Sequence, residues 1–386
     1  MKKAVVILLL SAVLLLSACG ESSAPAVAPA DAAETPSAAS AIQDVLNTEI
    51  FSDHPYQAEV GHINLNEVEN NIVYINEPGE YEITGSLDGF VQVEANVESD
   101  EIKLILNGAT IRSKNFACIY VASARKVTVS LADGSFNALM SEGNFSQIDA
   151  NTVDACIFSK DDLDVQGHGS LSISCGSGHG IAAKDDFDLK NATVDITSAK
   201  KGISVNDAFV MKSGELSINA GTEGIEAFSV EIQDGVLTIV SGDDGINATA
   251  GGQSQPGSGL QDASHVPYVS ISGGKITIDS VGDGIDSNGF IVMSGGSLTI
   301  ACPDNPDDEC LDYESTFTQT GGELFIDDNS DVEQMMAGFG GPMEAKPGMK
   351  DHFGGKPGPM NPGNAPEMPP EGGPGGPQPP TKPEEM

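Results

Sequence analysis

Residues 202–240 read GISVNDAFVMKSGELSINAGTEGIEAFSVEIQDGVLTIV, one unit written twice. Each copy opens on Gly-Ile, at Gly202-Ile203 and Gly224-Ile225. An apolar-x-apolar run follows, Phe209-Val-Met211 and then Val230-Glu-Ile232. A glycine turn comes next, Ser213-Gly214 and Asp234-Gly235. The unit closes on Leu216-Ser-Ile218 and Leu237-Thr-Ile239. Apolar residues at period two mark half-buried strands, and glycine suits a turn that needs positive φ.

The unit recurs along the chain. Gly-Ile steps start at Gly180, Gly202, Gly224, Gly245 and Gly284, at spacings of 22, 22, 21 and 39. Cys156-Ile157 precedes the series by 24 residues and Cys310-Leu311 follows it by 26. The long spacing holds a Gly- and Ser-rich insertion, Thr249 to Val266. Further second runs are Leu163-Asp-Val165, Phe187-Asp-Leu189, Val269-Ser-Ile271, Phe290-Ile-Val292 and Phe317-Thr-Gln319. Third runs continue from Leu171-Ser-Ile173 to Leu324-Phe-Ile326.

Three strands in about 22 residues leave no chain for crossover helices, so each strand must pair with its counterpart one repeat on. The expected fold is all-β: a right-handed, single-stranded parallel β-helix with three strands per coil, over residues 45–335. Leu104-Ile-Leu106, Ala109-Thr-Ile111, Ala117-Cys118-Ile119 and Val127-Thr-Val129 fit earlier coils, with a second loop insertion over 140–154. Residues 38–50 suit a short helix that would cover the open N-terminal end.

The termini have other compositions. Lys2-Lys3, the apolar run Ala4 to Leu16, and Leu16-Ser17-Ala18-Cys19 predict a signal peptide over 1–19. The last four residues resemble the bacterial lipobox, so Cys19 is the expected lipidation site. The run is shorter than the roughly 20 residues that span a bilayer. Residues 20–44 read as a disordered tether and 336–386 as a disordered Gly/Pro/Met-rich tail. These features predict a monomeric lipoprotein on the extracellular face of the cell membrane, touching the membrane only through its N-terminal lipid.

Fifty-seven acids against 18 bases give a net charge of −39. Nucleic acid needs a basic face and is excluded as a partner. Stacking the repeats on Gly-Ile aligns two polar tracks. The residue before glycine runs His179, Lys201, Glu223, Asp244, Asp283, with Glu309 before Cys310. The residue after isoleucine or leucine runs Ala182, Ser204, Glu226, Asn247, Asp286, Asp312. Carboxylates stacked at about 5 Å repel by roughly 3 kcal/mol at an effective dielectric near 20. A run of them in register asks for a counter-ion, and an all-oxygen donor set suits Ca²⁺. A solvated acidic face is the competing account. Cys118 and Cys156 share one repeat position and can stack inside the coil. Cys302 and Cys310 are open to either a disulfide or free thiols. His168 and His179, with no cysteine pair at zinc spacing, read as turn residues.

GDGIDSNG (282–289) and GDDGINA (242–248), followed by apolar strands and the glycine turn, resemble a bacterial carbohydrate-binding parallel β-helix family related to a clostridial cell-surface polysaccharide-binding protein. The resemblance covers residues 55–335. It implies a pectate-lyase-like β-helix that carries Ca²⁺ and binds acidic, pectin-like polysaccharide or cellulose without an established catalytic role. It carries calcium binding onto Asp243, Asp244, Asn247, Asp283, Asp286, Asp308 and Asp312. Glu226, on the same acidic track, completes the expected metal ligands. The earlier coils depart from the motif at Lys201, Ala182 and Phe158.

A non-catalytic binding module is therefore the leading expectation. A calcium-dependent polysaccharide lyase and a structural or adhesive spacer are the alternatives. A lyase needs a base beside the ion. The two arginines, Arg112 and Arg125, precede the acidic coils, and pairing with acids is the plainer account of Lys184, Lys200 and Lys201.

Overall fold

The computed structural model describes residues 55–146, 152–250, 266–301 and 307–327. The signal peptide with Cys19, the tether, the helix expected over 38–50, Cys302 and the tail lie outside the described residues.

The alternation written into each repeat becomes three short strands per coil. One coil comprises Ile225–Ala227, Ser229–Ile232 and Val236–Ser241. The first strands form an eleven-stranded sheet, and the second and third strands together form a nineteen-stranded sheet. Every pairing is parallel and joins corresponding strands of successive coils. The architecture is a parallel β-solenoid, nearly without helix. The only helical segment among the described residues is a 3₁₀ turn at Leu65–Glu67. The irregular early segments are coils of the same solenoid, since Leu104 pairs with Val129, Val129 with Val165, and Ile111 with Leu139.

Register places like residues above one another, about 4.8 Å apart. Ile173, Ile196, Ile218, Ile239, Ile278 and Ile300 form one internal ladder and are all buried. Ile181, Ile203, Ile225, Ile246, Ile285 and Leu311 form another. The glycine before each isoleucine is dictated by space. A Cβ on Gly224 would lie 2.4 Å from Ile239 Cγ2 and 2.5 Å from the Gly245 carbonyl oxygen. At the turns conformation decides instead, and Gly235 has φ +106°.

One run is corrected by a residue. Val269 pairs with Ile291, and Ile271 with Met293, so Ile291 and Met293 face the core, not Phe290 and Val292. A one-residue shift exchanges the faces of a strand. Phe290 accordingly points outward and stacks on Tyr268, with ring centroids 5.3 Å apart and planes 5° from parallel.

Cys118 and Cys156 lie in adjacent coils, with the Cys118 N–H donating to the Cys156 carbonyl at 2.8 Å. Both are buried free thiols, as is Cys175. Cys310 is disulfide-bonded. With the other three thiols free, its partner lies outside the described residues.

Candidate metal centre: an acidic ladder on one sheet

The outer face of the eleven-stranded sheet changes character along the solenoid. Its central outward track runs Tyr120, Phe158, Ala182, Ser204, Glu226, Asn247, Asp286, Asp312, each paired with the next. At the N-terminal end this face is covered. Phe116, Tyr120, Phe158, Val153 and Ala182 form a buried apolar cluster outside the coil. Further along, the cover ends and the same track turns acidic.

The second track lies at the corner preceding this strand. Its carbonyls accept hydrogen bonds from the preceding coil's glycines: Gly180 donates to Lys201, Gly202 to Glu223, Gly224 to Asp244, Gly245 to Asp283 and Gly284 to Glu309. At three of these corners, Lys201, Asp283 and Glu309, the residue's own N–H meets the side chain of the corner residue one coil below. His179 Nδ1 accepts from the Lys201 N–H at 3.2 Å. Asp244 Oδ1 accepts from the Asp283 N–H at 2.9 Å, and Asp283 Oδ1 from the Glu309 N–H. Backbone donors of the next coil thereby hold Asp244 and Asp283 in line.

The ladder is electrostatically strained. Burial raises the Asp244 carboxyl to about 7, with Asp243, Asp283 and Asp286 adding to the rise. Burial likewise raises Asp286 to about 6, helped by Asp312, Asp283 and Glu314. Asp283 is raised by burial, then by Asp312, Asp308 and Glu309. Asp243 is raised by burial, then by Glu223 and Asp308. Two oxygens here are buried and lack a hydrogen-bond partner among the described residues: Asn247 Oδ1 and Glu309 Oε2. Asn247 turns its amide nitrogen to Asp244 Oδ2, at 3.2 Å, which leaves its oxygen bare. Buried acceptors without donors are costly, and oxygens of this type could serve as ligands to a hard cation.

Seven of the eight expected ligands thus belong to one electrostatically linked group: Asp243, Asp244, Asn247, Asp283, Asp286, Asp308 and Asp312. Glu226 sits on the same track, but its Oε2 contacts Lys201 Nζ. Lys200 and Lys201 pair with acids as expected, whereas the Lys184 Nζ lies over the Phe158 ring, 5.5 Å from its centroid. Lys201 also meets Glu223 at 3.4 Å, and Lys200 meets Asp154 at 3.0 Å. His179 spans Asp154 and the Lys201 N–H, a structural role.

A second acidic group escaped the sequence reading. Asp162, Asp185 and Asp186 bring carboxylate oxygens within 4.8 Å of one another. Asp162 and Asp186 also border a cleft on the second strands, beside Lys126, Asp164 and Asp188. Lys126 pairs with Asp164 at 2.9 Å. The signal was present in KDDLD (160–164) and KDDFD (184–188), one repeat apart.

The fold and ladder define a parallel β-solenoid with an acidic face. A family model described as "Carbohydrate-binding domain-containing protein" matches residues 69–265 and 229–334, more than half of the chain, and the chain belongs to that family. A carbohydrate-binding domain-containing protein from Acetivibrio thermocellus is 32% identical over 127 residues, which are 32% of this chain and 44% of that relative. The chain thus spans less than half of that relative's length. A solved structure, described as the polysaccharide lyase-like protein from C. thermocellum in its gadolinium derivative, superposes with a TM-score of 0.50 at 25% identity. It covers 68% of this chain and 98% of its own.

Proposed function

We propose that this protein is a cell-surface lipoprotein that binds extracellular polysaccharide through a calcium-loaded ladder, without catalysis. The observation that carries the reading is the file of half-buried carboxyls at Asp244, Asp283 and Asp286, raised by burial and by one another, with bare oxygens beside it at Asn247 and Glu309. These residues fit a hard cation by donor type. Asp243, Asp244, Asn247, Asp283, Asp286, Asp308 and Asp312, spread over three successive coils, would hold calcium ions along the ladder and not one shared ion. When bound, calcium supplies a positive centre whose remaining positions accept oxygens from a glycan carboxylate or hydroxyls.

The chain's own contribution is orientation. Backbone N–H groups fix Asp244 and Asp283, and the rigid sheet spaces them at the coil repeat. Such a face reconciles a charge of −39 with an anionic ligand. The lipobox-like Leu16-Ser17-Ala18-Cys19 supports the lipid anchor, and the disulfide at Cys310 supports an oxidising compartment. A lyase would need a free basic side chain beside the ions. The lysine nearest the ladder, Lys201, is already held by two glutamates, so binding is the better supported activity.

A glycan array probed with and without a chelator tests the proposal. Chelator-sensitive binding to pectin-like glycans, lost in Asp283→Asn/Asp286→Asn, is expected. Silence across the array would favour a structural spacer, and release of unsaturated, ultraviolet-absorbing product would favour a lyase.

A further inference from the structure

Lys201 occupies the same corner position as Glu223, Asp244, Asp283 and Glu309 in later coils. Its ammonium reaches forward one coil and contacts both Glu223 Oε1, at 3.4 Å, and Glu226 Oε2. The three side chains retain 20%, 15% and 23% exposure, so the charges meet largely out of water. The Glu223 and Glu226 pair recurs as Asp244 and Asn247, then Asp283 and Asp286, then Glu309 and Asp312. In those coils the residue reaching forward from below is itself an acid. Among the described residues, no ion pair is made by Asp244, Asp283 or Asp286.

The bare oxygens follow the same boundary. Glu223 and Glu226 both have a cationic partner. Asn247 Oδ1, in the next coil, is buried without a partner, and so is Glu309 Oε2 at the far end.

We propose that Lys201 is a tethered cation filling the first seat of the ladder, so that metal occupation begins one coil later. Removing its charge opens an additional divalent-cation site between Glu223 and Glu226. The inference rests on the cation-ladder reading. It adds that the chain sets its own ion count with one side chain, because an ammonium and a calcium ion compete for the same two carboxylates.

Calcium titration calorimetry on the full chain tests it, with wild type, Lys201→Met, Lys201→Arg and Lys201→Met/Glu226→Gln. The Met variant is expected to bind one calcium ion more per chain than wild type. The Arg variant keeps the wild-type number, and the double variant returns to it. Should Lys201→Met not fold by circular dichroism, Lys201→Gln carries the same expectation. Equal stoichiometry in wild type and the neutral variants overturns the seat assignment while leaving the ladder intact. Absence of binding in wild type and all variants overturns the ladder and the seat together.

Discussion

Asp244 accepts the backbone N–H of Asp283, one coil on, at 2.9 Å. The side chain that carries unfavourable charge is therefore also the acceptor that satisfies the next corner of the solenoid. Charge and hydrogen bonding at Asp244 pull stability in opposite directions, and substitutions separate them. Asp244→Asn keeps an oxygen for the Asp283 N–H and removes the repulsion. Its melting temperature in chelator should exceed that of wild type by a few degrees, while the rise on adding calcium shrinks. Asp244→Ala strands the N–H, which costs about 1–3 kcal/mol for a buried donor, and should melt below Asp244→Asn in chelator. Thermal melts in chelator and in calcium read both effects.

The raised carboxyls set a pH dependence. Asp244 titrates at about 7 and Asp286 at about 6 in the folded chain, above the usual 3.8. The native state therefore binds more protons than the unfolded chain between these values. The stability they contribute is fully present below 3.8 and is lost as pH rises through 6 and 7. Asp154 works in reverse. Its carboxyl is lowered to about 2 despite burial, by His179 and Lys200, so its contribution holds above 3.8 and is lost as pH falls toward 2. In chelator, the melting temperature should be higher at pH 5 than at pH 8. Calcium should narrow that gap, since bound metal displaces the same protons.

The ladder was legible because Gly-Ile, or Cys310-Leu311 in its place, marks phase in each coil that carries the acids. Counting from it puts Glu226, Asn247, Asp286 and Asp312 on one outward track, and strand pairing puts them there too. The third strands were legible for the same reason, as Leu216-Ser-Ile218 alternates cleanly. Phe290-Ile-Val-Met293 does not alternate. Four apolar residues in a row carry no phase, and only pairing to Val269 and Ile271 shows which two face inward. The repeated KDDLD and KDDFD runs carry Asp162, Asp185 and Asp186, but how closely their carboxylates converge is set by side-chain direction, which the repeat alone does not encode. The bare oxygen of Asn247 depends on how its amide is turned, and that is a property of its neighbours.

The thiols offer a check on the interior. Cys118, Cys156 and Cys175 are free and no more than 2% exposed. Burial largely protects a thiol from reagent. A maleimide should label none of the three in the folded protein and all three in denaturant, as read by peptide mass spectrometry. Labelling of Cys156 under native conditions would place an opening in the coil.

Gly224 and Ile239 share one tight space in the core. Ile239→Ala removes a fully buried side chain from the internal ladder, a change that costs about 2–5 kcal/mol in comparable cores. Gly224→Ala adds a methyl 2.4 Å from Ile239 Cγ2 and 2.5 Å from the Gly245 oxygen. Overpacking of this kind costs about 1–3 kcal/mol. The two changes are coupled because the cavity left by truncating Ile239 receives the methyl added at Gly224. The double variant should lose less stability than the sum of the singles, by about 0.5–3 kcal/mol as for contacting residues. It should not recover to wild type, because the Gly245 carbonyl belongs to the next coil's backbone and cannot withdraw without breaking its hydrogen bond from the Ile225 N–H. Denaturant titration of the three variants measures the coupling. Strict additivity would mean that these residues do not share space and that the internal ladder is out of register.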